Sequence, residues 1–206
     1  SILQSLLMLK QTASNFDRGQ PIYFGGMERD YVNLGNYREL VFGQNAESRI
    51  SLSLRWDALQ PANFGTFNDT RYQSYQYEVR WRGLSDRVVI EKLEYKAYSG
   101  NEDEIFFTME RKDDNNYSYK APRGLKDTRG RNADLEPPES CYAIPVKAAD
   151  YYSDFEPLEF NRQFEQLMSR ILYLGPLRRS PRRDYAWSGA APSDIGMAGE
   201  NTVEAL

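Results

Sequence analysis

Ile50-Ser51-Leu52-Ser53-Leu54-Arg55-Trp56 alternates apolar and polar side chains without a break, and Tyr75-Gln76-Tyr77-Glu78-Val79-Arg80-Trp81 does the same. Successive side chains of a strand point to opposite faces, so a period of two predicts strands with one buried and one wet face. Aromatic and β-branched residues dominate both stretches, and these are the types that pack well on a pleated surface.

The pattern spreads outward from these two strands. Residues 87–98 and 104–110 continue the series, with Gly83-Leu84-Ser85-Asp86 and Ser99-Gly100-Asn101 as turns between strands. Asp113-Asp114-Asn115-Asn116 then supplies a polar turn before Tyr117-Ser118-Tyr119. An antiparallel meander over residues 31–120 is the economical topology, and its many tyrosines are expected on half-exposed faces. They also suit base stacking, although alternating aromatics serve first for packing.

Two helices flank this region. Residues 1–14, SILQSLLMLKQTAS, place Leu3, Leu6, Leu7 and Lys10 on one face, with Ile2 and Leu9 widening it. No cap precedes the helix, so it is expected to begin upstream of Ser1. Phe160, Phe164, Leu167, Met168 and Ile171 recur at helical spacing, while Arg162, Gln163, Glu165 and Gln166 face away. Ile171-Leu172-Tyr173-Leu174 then reads as a short buried strand ending at Gly175-Pro176. Residues 121–157 hold Pro122, Pro137, Pro138, Pro145 and Pro157 and little periodicity, which predicts a long irregular connection. The predicted class is therefore α+β, with both helices lying on the antiparallel sheet.

Composition narrows the chemistry. With 206 residues, 40% apolar and 14% aromatic, the chain has material for a core. Histidine is absent and Cys141 is the single cysteine, so a Cys–His pair and an internal disulfide are both excluded. No run approaches the roughly 18 apolar residues of a membrane span, and no signal peptide is recognisable, so a soluble cytoplasmic protein is expected. A formal charge of −4 gives no global attraction to nucleic acid. Local attraction is left to Arg178, Arg179, Arg182 and Arg183, which read equally well as a solvated surface with structural salt bridges. Glu102, Glu104, Asp113 and Asp114 lack the offsets and glycine of a calcium loop, so no metal site is assigned.

Three segments carry a resemblance. SILQSLLMLKQT at residues 1–12 is similar to the helix that follows the phosphate-binding loop in AAA/ABC-type ATPases of the SMC, RecF and OLD kind, a superfamily that includes Septu-type defence ATPases. YVNLGNYRELV at 31–41 resembles the entry into the β-rich lobe of those ATPase heads. YLGPLR at 173–178, with Pro181, Arg183 and Tyr185 beyond it and Ile195-Gly196 and Gly199-Glu200 farther on, resembles their return strand and the segment after it.

The resemblance implies the antiparallel β-rich lobe of a P-loop ATPase head with flanking helices, incomplete at both ends. It divides the chain into a post-loop helix at 1–16, a β-rich lobe at 17–120, an irregular insertion at 121–158, and a helix with return strand at 159–206. It further implies that the complete protein binds ATP and Mg²⁺, dimerises through its heads, and couples hydrolysis to nucleic-acid processing or anti-phage defence with a nuclease partner or domain. The G-x-x-x-x-G-K-[ST] loop, the signature motif and the acidic Walker B strand are all absent from these residues, so no catalytic residue is assigned. This chain alone is expected to bind no cofactor and hydrolyse no ATP. Ser1 matches the hydroxyl position that ends the loop or the residue after it, and Gln44 is placed by chain order as a glutamine for Mg²⁺ and attacking water. Arg178 and Arg183 match motif positions suited to phosphate, nucleic acid or a carboxylate. A partner-binding β-domain and a nucleic-acid-binding module are the readings from other classes.

Overall fold

The structure is a computed structural model that describes residues 1–15, 20–28, 30–45, 47–64, 71–84, 87–100, 103–113, 116–122, 136–151, 156–175, 195–196, 198–199 and 201. Helix α1 spans Ile2–Ser14 and a single-turn helix α2 spans Tyr37–Leu40. Strands β1 (Arg49–Ala62), β2 (Tyr72–Gly83), β3 (Val88–Ser99), β4 (Asp103–Arg111) and β5 (Tyr117–Lys120) follow, and helix α3 (Leu158–Arg170) comes after the proline-rich connection. The strands form one antiparallel sheet in sequence order, β1-β2-β3-β4-β5, which is the expected meander. The fold is α+β. No helix among the described residues is long and apolar enough to cross a membrane.

Register explains which faces are buried. Ile50 pairs with Trp81, Leu52 with Val79, Leu54 with Tyr77 and Trp56 with Tyr75, so the two alternating stretches stack their apolar sets on one side. On β3, Arg80 pairs with Lys92 but Trp81 pairs with Ile90, leaving Glu91 as an extra residue. This β-bulge shifts the parity of the strand, so that Ile90 as well as Leu93, Tyr95 and Ala97 are buried on the core side. Glu91 itself meets Arg49 Nε at 2.6 Å and Arg82 Nε at 3.0 Å.

Helix α3 covers the apolar face. Its fully buried Phe160 and Phe164 meet sheet rings: Phe160 stacks on Tyr95 at 5.1 Å, and Phe164 lies 4.8 Å from Tyr77. The tyrosines expected at half-exposed positions are core residues. Tyr75, Tyr77 and Tyr95 are buried, and each hydroxyl donates to a backbone carbonyl. Tyr77 reaches Cys141 O at 2.9 Å and Tyr95 reaches Tyr142 O at 2.6 Å, while Tyr75 reaches Tyr72 O at 3.0 Å. A buried phenol needs such a partner. The connection after β5 is therefore more than a linker, because its Cys141, Tyr142, Ile144 and Ala148 are buried in the same core.

At the start of α1 the Ser1 hydroxyl accepts from Gln4 N at 3.3 Å. Three expectations are corrected. Residues 31–45 hold α2 and the 3₁₀ turn Phe42–Gln44 rather than a strand, because Asn36 and Glu39 form a capping box there. Ile171–Leu174 join no strand; Leu172 and Leu174 are exposed, and Gly175 is the buried residue of the stretch. Gln163, assigned to the wet face of α3, is buried and donates to Glu159 Oε1 at 2.9 Å, so its amide is satisfied along its own helix.

Candidate functional site

Helix α1 organises the region that bears the family resemblance. Its first residues are exposed, Ile2 at 91% and Leu3 at 51%, whereas Leu7 through Thr12 are all buried. Six consecutive buried residues mean that the second half of the helix is enclosed all round. It is polar residues in that half that tie down the neighbouring chain.

Gln11 acts as a backbone mimic. Its Nε2 donates to Val32 O at 3.2 Å and to Tyr23 O at 3.1 Å, while its Oε1 accepts from Val32 N at 3.2 Å. Thr12 Oγ1 accepts from Tyr23 N at 3.1 Å and donates to Met8 O at 2.8 Å. Lys10 Nζ reaches Met168 O at 3.3 Å and lies 5.1 Å from the centroid of the Tyr31 ring, where an ammonium is attracted to the ring face. Tyr31 in turn meets Tyr173 edge to face at 6.5 Å.

The segment beyond α1 turns back on itself around one carboxylate. Asp30 Oδ2 accepts from Met27 N at 2.6 Å, Gly26 N at 2.7 Å and the Tyr23 hydroxyl at 2.7 Å. Burial acts to raise the Asp30 pKa, but the N–H of Met27, the Tyr23 hydroxyl and the N–H of Gly26 together hold it below its ordinary value. Gly25 has φ +90°, and a Cβ there would lie 2.0 Å from Val32 O, so only glycine allows this close approach. Leu34 N then donates to Phe24 O at 2.9 Å and closes the loop.

This loop, α2 and the β2–β3 turn enclose an open pocket of about 500 Å³. Gln20, Tyr23, Phe24 and Gly25 form one wall; Gly35, Asn36, Tyr37 and Arg38 form the second; Leu84, Arg87 and Val88 form the third. The Tyr37 hydroxyl donates to Ser48 O, and Leu84 N donates to Arg87 O at 2.6 Å, so two walls are pinned at their backs.

The residues singled out from the sequence fall elsewhere. Ser1 spends its hydroxyl on capping α1. Gln44 is exposed at the end of the 3₁₀ turn with φ +56°, next to a fully exposed Phe42, and its backbone N–H donates to Val41 O at 3.1 Å. Arg178 and Arg183 lie outside the described residues, as do Arg179 and Arg182. Asp113 is a turn residue that accepts from Asn116 N at 3.1 Å and Asn116 Nδ2 at 2.8 Å. No group of three or more metal-ligating side chains occurs among the described residues. Cys141 is fully buried, and burial pushes its thiol up to about 12, so it stays protonated at neutral pH. Arg38 and Arg87 are the charged residues of the pocket; Arg38 falls within the 31–41 segment and Arg87 at the start of a strand, and only the fold brings them to one cavity.

No protein-family model, no curated protein and no solved structure matches the chain.

Proposed function

We propose that the chain is part of an ATP-binding, ATP-hydrolysing head of the SMC, RecF and OLD kind, which dimerises around nucleotide and serves nucleic-acid processing or anti-phage defence. One observation carries the reading: segments that resemble this superfamily at three separate places in the sequence meet in space. Lys10 and Gln11 of the first segment contact Tyr31 and Val32 of the second, and Tyr31 contacts Tyr173 of the third. Separate motifs that serve one ATPase head would be held together in this way.

On this reading ATP and Mg²⁺ are bound by a phosphate-binding loop and a Walker B strand that these 206 residues do not include. Helix α1 would follow that loop, its N-terminal dipole facing the phosphates. The 206-residue chain by itself is expected to be inactive.

The test is the parent reading frame and its protein. A G-x-x-x-x-G-K-[ST] sequence directly upstream of Ser1, an acidic strand downstream of Leu206, and Mg²⁺-dependent ATP hydrolysis lost on changing the loop lysine are the expected results. An in-frame start codon adjoining Ser1, or turnover by the 206-residue chain itself, would overturn the proposal.

A further inference from the structure

We propose that the pocket between the 20–25 loop, α2 and the β2–β3 turn binds a small phosphate-bearing molecule with a planar ring, held through Arg38 and Arg87. The cavity, about 500 Å³, lies within the range of ligand sites and is walled by three chain segments remote in sequence. It is at the end of α1 away from Ser1, which a 13-residue helix places about 20 Å off.

Charge points to an anion. The described lining contains Arg38 and Arg87 and no carboxylate. The nearby carboxylates lie outside that lining and have other hydrogen-bond partners, uncharged ones for Asp30 and Glu39 and arginines for Glu91. Asp30 holds Gly26, Met27 and Tyr23; Glu39 accepts from Asn36 N and Nδ2; Glu91 pairs with Arg49 and Arg82. Elsewhere on this acidic chain Arg49, Arg80, Arg82 and Arg162 each have a carboxylate partner. Arg38 and Arg87 make no ion pair with a described residue, and unlike Arg55, Arg71 and Arg170, which also make none, they line one cavity. A guanidinium presents a planar fork of donors that fits phosphate oxygens, and an uncommitted pair in one cavity favours a doubly charged group.

The remaining walls suit a ring. Tyr23, Phe24 and Tyr37 contribute aromatic surface, Leu84 and Val88 aliphatic surface, and Gln20 an amide able to hydrogen-bond a heterocycle edge. Two of its walls are braced by hydrogen bonds within the protein, those of Asp30 and of the Asn36–Glu39 capping box.

The proposal is independent of the ATPase reading, which predicts no phosphate binding by this chain alone. Titration of the 206-residue protein with AMP, inorganic phosphate and adenosine, followed by calorimetry and amide chemical shifts, decides it. AMP is expected to bind saturably, phosphate more weakly and adenosine least, with shifts at residues 20–25, 35–38 and 84–88. Arg38→Ala and Arg87→Ala should each weaken AMP binding about tenfold or more, the loss typical of a charged hydrogen bond, with unchanged melting temperature. Arg80→Ala, on the outer sheet face, should leave affinity unchanged. The proposal is overturned if AMP and phosphate fail to saturate at millimolar concentration, if adenosine binds as well as AMP, or if Arg80→Ala weakens binding as much as the pocket variants.

Discussion

Gln11→Ala tests how the loop bearing the pocket is held. Three hydrogen bonds disappear at once: from Gln11 Nε2 to Tyr23 O and Val32 O, and from Val32 N to Gln11 Oε1. Gln11 is only 4% exposed, so water does not replace these bonds freely. At roughly 1 kcal/mol for each intramolecular bond, with partners left partly unsatisfied, the loss should be about 3 kcal/mol. For a chain of this length about 1 kcal/mol shifts the midpoint by about 2–4 °C, so Tm should fall by about 6–12 °C. Gln11→Glu is the sharper companion, because it keeps the shape and the acceptor for Val32 N but sets a carboxylate against two carbonyl oxygens. Urea and thermal melts on both variants supply the magnitudes, and amide exchange at Val32 and Leu34 reports whether the loop opens locally. A loss below about 1 kcal/mol for Gln11→Ala, or unchanged exchange at Val32, would refute the assignment of Gln11 as the anchor.

The other predictions concern the core, the turns and pH. Phe164→Ala should cost about 3–5 kcal/mol, since the ring is buried against Tyr77 and Tyr142 and its removal leaves a cavity; a cost under about 2 kcal/mol in urea melts would mean that α3 is not fixed on the sheet. Tyr95→Phe should cost about 1–2 kcal/mol by orphaning Tyr142 O, and a neutral result would show that the hydroxyl holds nothing. Gln44→Gly should stabilise by about 0.5–1 kcal/mol by relieving a left-handed backbone, and destabilisation would contradict the turn geometry. The Asp30 carboxyl is held below its ordinary 3.8, so its contribution is present above that value and lost as pH falls through the lower folded value. The stability gap between wild type and Asp30→Ala should therefore be level near neutrality and shrink in acid below 3.8; a gap that widens there would reverse the sign.

Periodicity carried the sheet because a half-buried strand must alternate, and β1 and β2 do so over their paired lengths. It failed where hydrogen bonding, not hydrophobic period, decides local structure. The Asn36–Glu39 capping box makes a helical turn from residues that read as part of a strand region. Gln163 is polar yet buried because Glu159 sits one turn away on the same helix. Residues 141–148 show no strand or helix period because Cys141, Tyr142, Ile144 and Ala148 reach the core from an irregular stretch and a 3₁₀ turn, while Val146 is exposed. The pocket was illegible for a related reason: Arg38 and Arg87 are far apart in sequence and each is an ordinary exposed arginine, so the signal exists only after the β2–β3 turn has come round to α2.

The tyrosines bear on function as well as on stability. A surface that stacks nucleobases must offer ring faces to solvent, whereas Tyr75, Tyr77 and Tyr95 are buried beneath α3. Their hydroxyls hold the Tyr72 and 141–142 carbonyls, and burial raises all three pKa values, Tyr75 to about 12 and the other two well above the ordinary value. The opposite sheet face presents Glu78, Arg80, Lys92 and Glu94 instead. There Lys92 Nζ bridges Glu78 at 3.1 Å and Glu94 at 3.2 Å, so the charges neutralise one another across neighbouring strands. On the same face the Arg55 guanidinium lies 5.3 Å from the centroid of the Tyr98 ring. The phosphate contact proposed for Arg38 and Arg87 lies away from both sheet faces, in the pocket lined by the 20–25 loop, α2 and residues 84, 87 and 88.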